Sequence, residues 1–119
     1  MTTPVKAEVD AATVDVLTAL AVGDQGVLEE VLAFRDSEQA SSGLDARTFS
    51  LVKIAALIAL DAPPASYIWQ VANALAAGAT PQELLGVLRA VLPQVGGPRA
   101  MAAAPELMLA LGLELPDDV

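Results

Sequence analysis

The sequence of 119 residues contains neither cysteine nor histidine. These two absences exclude disulfides, thiol redox chemistry, cysteine nucleophiles and histidine bases, together with the side chains that ordinarily bind zinc, copper or haem iron. The carboxylates do not follow the spacing of a calcium-binding loop, and no glycine-rich phosphate loop is present. We therefore expect neither a metal nor another cofactor.

Aromatic and basic residues are both scarce. Aromatic residues make up 3% of the chain and apolar residues 55%, so the core must be built from alanine, leucine and valine. A chain this apolar is expected to bury surface against a partner, and another copy of itself is the simplest one. Six basic residues stand against fifteen acidic ones, for a net charge of −9, which predicts no binding to nucleic acid and no attraction to anionic membranes.

The length fits one domain, which we predict over residues 1–119 with short flexible termini. The first ten residues lack the pattern of a signal peptide. The longest charge-free stretch, residues 62–82, is interrupted by Pro63, Pro64 and Pro81 and is not typical of a membrane span. We expect a cytoplasmic location.

Helical periodicity dominates the chain, and no useful β-alternation is present, so the sequence predicts an all-α fold of about six helices. Pro63 and Pro64 separate two apolar helices, and residues 37–43 and 93–97 are predicted to be connectors. The predicted helices are Ala11–Ala21, Gln25–Asp36, Asp45–Asp61, Pro64–Ala77, Pro81–Leu92 and Pro98–Gly112.

Three local signals fix the ends of these helices. Asp45 is a good N-cap, and Gly78 suits the left-handed position after a helix. Thr80 and Glu83, with Pro81 between them, form the pattern of a capping box.

Beyond Leu51 the third helix is apolar nearly all round, which predicts burial on most of its sides. The fifth helix is predicted to bury Leu84, Leu85, Leu88 and Val91.

The polar residues of the two central helices also follow a helical spacing. Three of them recur along the third helix and are predicted to share one row: Arg47, Ser50 and Lys53. Three others lie on one face of the fourth helix: Ser66, Gln70 and Asn73.

The segments LDARTFSLVKIAALIAL and QVANALAAGATPQELLGVLRAVLPQVGGPRAMAA, with the turn between them, resemble the carboxymuconolactone decarboxylase and alkylhydroperoxidase D family. The resemblance extends from about Val27 to Leu111. It depends on the Leu44-Asp45 opening, the AGATPxE stretch and the later GPRA, rather than on any one of them. It implies the alkylhydroperoxidase D-like helical bundle and a homo-oligomer, with a trimer or hexamer favoured.

The family's peroxidase members carry a glutamate on the long helix, then Cys-x-x-Cys and a histidine. Counted along this sequence, those positions hold Ser50, Pro63, Ser66 and Gln70. The decarboxylase members also usually carry a histidine near the position of Gln70. The resemblance therefore implies fold and assembly, but neither activity.

The family's pocket lies between the long helix and the next one. This position suggests a site that binds a small apolar organic molecule through five residues: Ser50, Ser66, Trp69, Gln70 and Asn73. Two alternatives stay open. In the first, these polar groups only bond one another or a neighbouring subunit, in a non-catalytic structural or interaction oligomer. In the second, Lys53 or Tyr67 replaces histidine in a cofactor-free lactone decarboxylase. The sequence leaves open whether the chain is an enzyme.

Overall fold

The structure is a computed structural model that describes residues 6–24, 26–27, 30 and 35–118, and these residues form six α-helices and no strand. The all-α prediction with about six helices is confirmed. The predicted helix Gln25–Asp36 lies largely outside the described residues. In chain order the helices are α1 (Ala11–Ala21), α2 (Arg35–Ser42), α3 (Ala46–Leu60), α4 (Pro64–Ala76), α5 (Pro81–Val95) and α6 (Gly97–Ala110).

The chain divides into two compact units, Met1–Ala33 and Phe34–Val119. In the first unit, the Asp10 carboxylate accepts a hydrogen bond of 2.7 Å from the Thr13 backbone N–H and so caps α1. This bond lowers the pKa of Asp10. No residue of α1 is buried. That residues 1–119 form one domain stays a prediction.

In the second unit, α3, α4, α5 and α6 enclose one core. Helix α3 packs against α4 and α5, and α6 packs against α4 and α5. In the cluster at the centre of this core, every side chain except Tyr67 is aliphatic, while Phe49 and Trp69 are buried outside that cluster. The cluster consists of Ile54, Ile58, Tyr67, Val71, Ala74, Ala79, Leu84, Ala103 and Leu107.

Helix α2 corrects the prediction that residues 37–43 form a connector. Helix propensity is a weak guide that the surrounding structure can override. Here the Ser41 and Ser42 hydroxyls donate to the carbonyls of Glu38 and Gln39, one helical turn earlier. Gly43, with φ of 74°, follows the last helical residue.

Helix α3 begins as predicted, because the Asp45 carboxylate accepts a hydrogen bond of 2.7 Å from the Thr48 N–H. This bond lowers the pKa of Asp45. The prediction that α3 is buried on most sides is wrong. Ile54 and Ile58 are fully buried, but Val52 is 53% and Leu60 74% exposed. Helix α3 therefore contributes one face to the core, and a second apolar face of the same helix remains exposed.

Helix α5 opens on the predicted capping box. Thr80 Oγ1 accepts from the Glu83 N–H at 3.2 Å, and the Glu83 carboxylate accepts from the Thr80 N–H at 2.9 Å. The predicted end at Leu92 is wrong, since α5 continues through Pro93 to Val95. A proline so near a helix end removes one hydrogen bond of the last turns, which packing can offset. The prediction that Leu85 is buried is also wrong, because its side chain is 47% exposed.

Helix α6 starts with Pro98 in its first turn and passes through Pro105 without ending. Its C-terminal turn closes at Gly112, whose φ is 77°. Among the described residues, none of the helices is both long and apolar enough to cross a membrane.

Candidate functional site

Three of the five predicted ligand-binding residues are buried inside the chain. Ser50 is 2%, Trp69 5% and Gln70 7% exposed. Each of the three already has an interaction partner. The other two, Ser66 and Asn73, are half-buried. Helix α4 therefore brings Ser66, Gln70 and Asn73 to one face as predicted, and the role of these residues in ligand binding stays a prediction.

Tyr67 lies in the core with 1% of its surface exposed. Burial raises the pKa of its phenol, and the carboxylates of Asp61 and Glu106 raise it further, while Arg99 acts in the opposite direction. The phenol therefore stays protonated at neutral pH and is a poor general base.

Two buried polar atoms near this region, Tyr67 Oη and Asn73 Nδ2, find no hydrogen-bond partner in the described part of the chain. A buried polar group without a partner costs about 1–3 kcal/mol. Both groups thus lower the stability of the chain as it stands, unless a bound molecule or neighbouring chain satisfies them.

The predicted polar row on α3 is not a single row. Ser50 points inward, whereas Lys53 and Arg47 are exposed. Lys53 Nζ lies 4.9 Å from the centroid of the Phe49 ring, a cation–π contact. A lysine nucleophile needs a desolvated amine, and the exposed Lys53 is not in such surroundings.

A concave site lies elsewhere in the second unit, where α5 begins and α6 ends. It is a groove of about 380 Å³, within the range of small-molecule sites. Helix α5 supplies one wall and α6 the other, and the segment after α6 supplies two more side chains, Leu111 and Leu113. The residues that line it are Pro81, Gln82, Leu84, Leu85, Leu88, Ala104, Leu107, Met108, Leu111 and Leu113.

The α5 wall is held by the capping box. Glu83 accepts the Thr80 N–H and at the same time pairs with the Arg47 guanidinium, whose Nε donates to Glu83 Oε1 at 3.1 Å. The first turn of α5, which carries Pro81 and Gln82, is thus tied to the first turn of α3.

The α6 wall is held by a Schellman motif. The N–H groups of Gly112 and Leu113 donate to the carbonyls of Leu109 and Met108, at 3.0 and 2.9 Å. This motif normally brings two apolar side chains together, and here Leu113 and Met108 both line the groove. The left-handed backbone of Gly112 is what allows the chain to turn back.

The groove can bind but offers little chemistry. Among the described residues its lining is aliphatic except for Gln82, and no charged side chain is part of it. Leu84 and Leu107, at 1% and 6% exposure, form its floor. An uncharged apolar molecule suits these walls, and in the described lining the Gln82 amide is the one side chain that could orient a polar end.

The sequence analysis did not identify this groove. A signal was present in the adjacent pair Leu84-Leu85 and in Leu107-Met108, since neighbouring apolar residues widen a helix face beyond what one packing contact needs. Such a width does not reveal whether the second face meets another helix, a ligand or water.

Within the described residues, no three acidic side chains cluster in a way that could hold a metal ion. The comparisons with known proteins identify a family. The model described as the carboxymuconolactone decarboxylase family matches residues 25–107. No curated protein and no solved structure matches the chain.

Proposed function

This chain belongs to the carboxymuconolactone decarboxylase family, and we propose that it is a divergent member that binds a small apolar organic molecule without thiol peroxidase chemistry. The observation that carries the proposal is the aliphatic groove between α5 and α6, a concave volume of about 380 Å³ in a chain that has no cysteine and no histidine.

The chemistry of the walls defines the ligand class. No charged side chain in the part of the chain that the structure describes lines the groove, so a charged ligand would lose its hydration without gaining an ion pair. A neutral aliphatic or alicyclic molecule of medium size loses little hydration and gains contacts with the leucines. We expect a single polar end, such as a hydroxyl or carbonyl, to lie beside Gln82.

A neutral fluorescent probe, N-phenyl-1-naphthylamine, tests the proposal directly. We expect saturable binding to the wild-type protein at one site per chain and displacement by octan-1-ol. The Leu85→Glu variant places a charge on the wall and should weaken binding at least tenfold. The Leu92→Glu variant is the matched control, because Leu92 lies on the same helix at 42% exposure, against 47% for Leu85, and does not line the groove.

Two results would contradict the proposal. One is the absence of saturable binding to the wild-type protein. The other is equal weakening by both substitutions, which would indicate a general loss of structure or a probe bound elsewhere. Circular dichroism of both variants separates these causes.

The second candidate function is a non-catalytic structural or interaction oligomer. The burial and existing partners of Ser50 and Gln70 favour it, because a closed polar face is what such a protein needs. In this case the probe would not bind, while the assembly would persist.

A cofactor-free lactone decarboxylase using Lys53 or Tyr67 has less support. Lys53 is exposed, and the raised pKa of Tyr67 keeps its phenol protonated. The proposal also includes a homo-oligomer, for which the family resemblance favours a trimer or hexamer, and a cytoplasmic location.

A further inference from the structure

Helices α5 and α6 lie side by side and run in opposite directions. A single residue, Gly96, connects them, and its φ of 84° lets the chain reverse there. Pro81 and Leu111 are each fifteen residues from Gly96, which corresponds to about 22 Å along a helix. Both residues line the same groove, so the two helices must be close to antiparallel.

The groove is closed at its inner end, the end nearer to the connecting glycine. Leu88 and Ala104 are each eight residues from that glycine, so they lie at the same depth in an antiparallel pair. No residue from 89 to 103, all of which the structure describes, lines the groove. Val91 packs against the core instead, and Ala103 is part of it. The groove therefore ends at Leu88 and Ala104.

The outer end of the groove is open to solvent and carries the polar side chain of the described lining. Gln82 is exposed there, and Leu113 is 52% exposed. Leu88 and Ala104, at the inner end, are half-buried. A ligand in the groove thus meets only apolar side chains at the inner end, and an amide and water at the outer end.

The groove is elongated along the two helices. The α5 wall extends over seven residues from Pro81 to Leu88, and the opposite wall over seven residues from Ala104 to Leu111, about 10 Å in each case. Helices in contact have axes about 8–10 Å apart, and side chains from both walls fill part of that width. A hydrocarbon zigzag advances by about 1.3 Å per bond, so about eight carbons span the walls.

From this shape we infer that the groove selects a linear aliphatic chain with an uncharged polar end, bound with its apolar end innermost. The polar end lies beside Gln82, and Leu88 and Ala104 stop the chain and so determine the length that the groove accepts. The inference rests on the proposed function and deepens it, because it specifies the shape and orientation of the ligand.

A series of straight-chain alcohols, from butan-1-ol to dodecan-1-ol, tests the inference by displacement of N-phenyl-1-naphthylamine from the wild-type protein. We expect the dissociation constant to fall about fourfold per added methylene up to about octan-1-ol. Further methylenes stay in water, so beyond this plateau point the gain should be less than about twofold per methylene. Cyclooctanol, which has the same number of carbons, cannot extend along the walls and should bind about tenfold more weakly than octan-1-ol.

Two substitutions at the inner end should move the plateau in opposite directions. Ala104→Leu adds about three carbons to the stop and should shift the plateau to shorter alcohols by roughly that number. Leu88→Ala removes as many carbons and should shift the plateau to longer alcohols. Ala102→Leu is the matched control, because Ala102 is exposed on the same helix and does not line the groove. Circular dichroism verifies the fold of each variant.

The outcomes separate this inference from the proposed function. If no alcohol displaces the probe, both are contradicted. Displacement without a plateau, or equal binding of cyclooctanol and octan-1-ol, would overturn the inference and leave the proposed function standing. A plateau that neither Ala104→Leu nor Leu88→Ala moves, or that Ala102→Leu moves as far, would also overturn it.

Discussion

Arg47 and Glu83 form an ion pair that joins the first turn of α3 to the first turn of α5. The Glu83 carboxylate also accepts the Thr80 N–H and completes the capping box. The Glu83 carboxylate thus takes part in both an ion pair and a helix cap, and these two interactions contribute different free energies to stability. The arginine side chain is 51% exposed, so the pair is worth little, whereas a lost cap costs about 0.5–2 kcal/mol.

Glu83→Ala should therefore lower the free energy of unfolding by about 1–2 kcal/mol, measured by urea denaturation. Arg47→Ala should cost less than about 0.5 kcal/mol. Glu83→Gln is the informative control, because an amide can still accept from Thr80 but carries no charge. A cost for Glu83→Gln as large as for Glu83→Ala would show that the ion pair dominates.

Ionisation of the Tyr67 phenol is expected to lower the stability of the protein at alkaline pH. Its pKa is raised in the folded chain, chiefly by burial. The unfolded chain therefore releases the phenolic proton more readily, and stability is complete below the unfolded pKa of about 10 and falls as the pH rises above it. Since Tyr67 is the only tyrosine, tyrosinate absorbance reports on this group alone.

Tyr67→Phe should remove this part of the alkaline loss. At pH 7 the variant should be as stable as wild type or more so, to within about 1 kcal/mol, because the hydroxyl it removes has no partner among the described residues. Thermal unfolding at pH 7 and pH 11 checks both statements. A loss of stability beyond about 2 kcal/mol at pH 7 would mean that the hydroxyl is satisfied after all.

Replacing Gly112 and Gly86 with alanine should change the stability of the protein in opposite directions. Gly112 has φ of 77°, where an alanine costs about 1–2 kcal/mol, and its Schellman turn positions Leu113. Gly112→Ala should therefore lower stability by about 1 kcal/mol and weaken probe binding. Gly86 lies inside α5 with nothing within 4 Å of an added Cβ, so Gly86→Ala should raise stability by about 0.5–1 kcal/mol.

Equal probe binding by Gly112→Ala and wild type would show that Leu113 does not shape the site. Denaturation and probe titration of the two variants, made side by side, provide both measurements.

Peroxide reduction should be undetectable. The positions at which the resemblance implies the thiol pair hold Pro63 and Ser66, and the position of its histidine holds Gln70. Hydrogen peroxide with a dithiol donor should be consumed no faster with the protein than without it. Clear turnover would mean that another group has taken over the chemistry.

The sequence predicts the parts of this fold that depend on neighbours in the chain. Asp45, Thr80 and Glu83 form the caps that their spacing implies, because a cap needs only residues three positions apart. The end of α5 was mispredicted for the converse reason. Whether a helix continues past Pro93 depends on the packing of its last turn, which the local sequence does not specify.

The groove lies beyond such local signals. An apolar residue can be buried by its own chain, by a ligand or by another copy, and its identity is the same in each case. Leu84 and Leu85 are adjacent leucines of which one is buried and the other half-exposed. Only the packing of α5 against its neighbours α3 and α6 separates them.

The most direct test of the central proposal is a methyl NMR titration of the wild-type protein with octan-1-ol. The account predicts saturable shifts concentrated at Leu85, Leu88, Met108 and Leu113, on both walls of the groove. Shifts concentrated instead around Ser66 and Gln70 would place the ligand at the site suggested by the family resemblance. An absence of saturable shifts would contradict ligand binding and favour the structural oligomer.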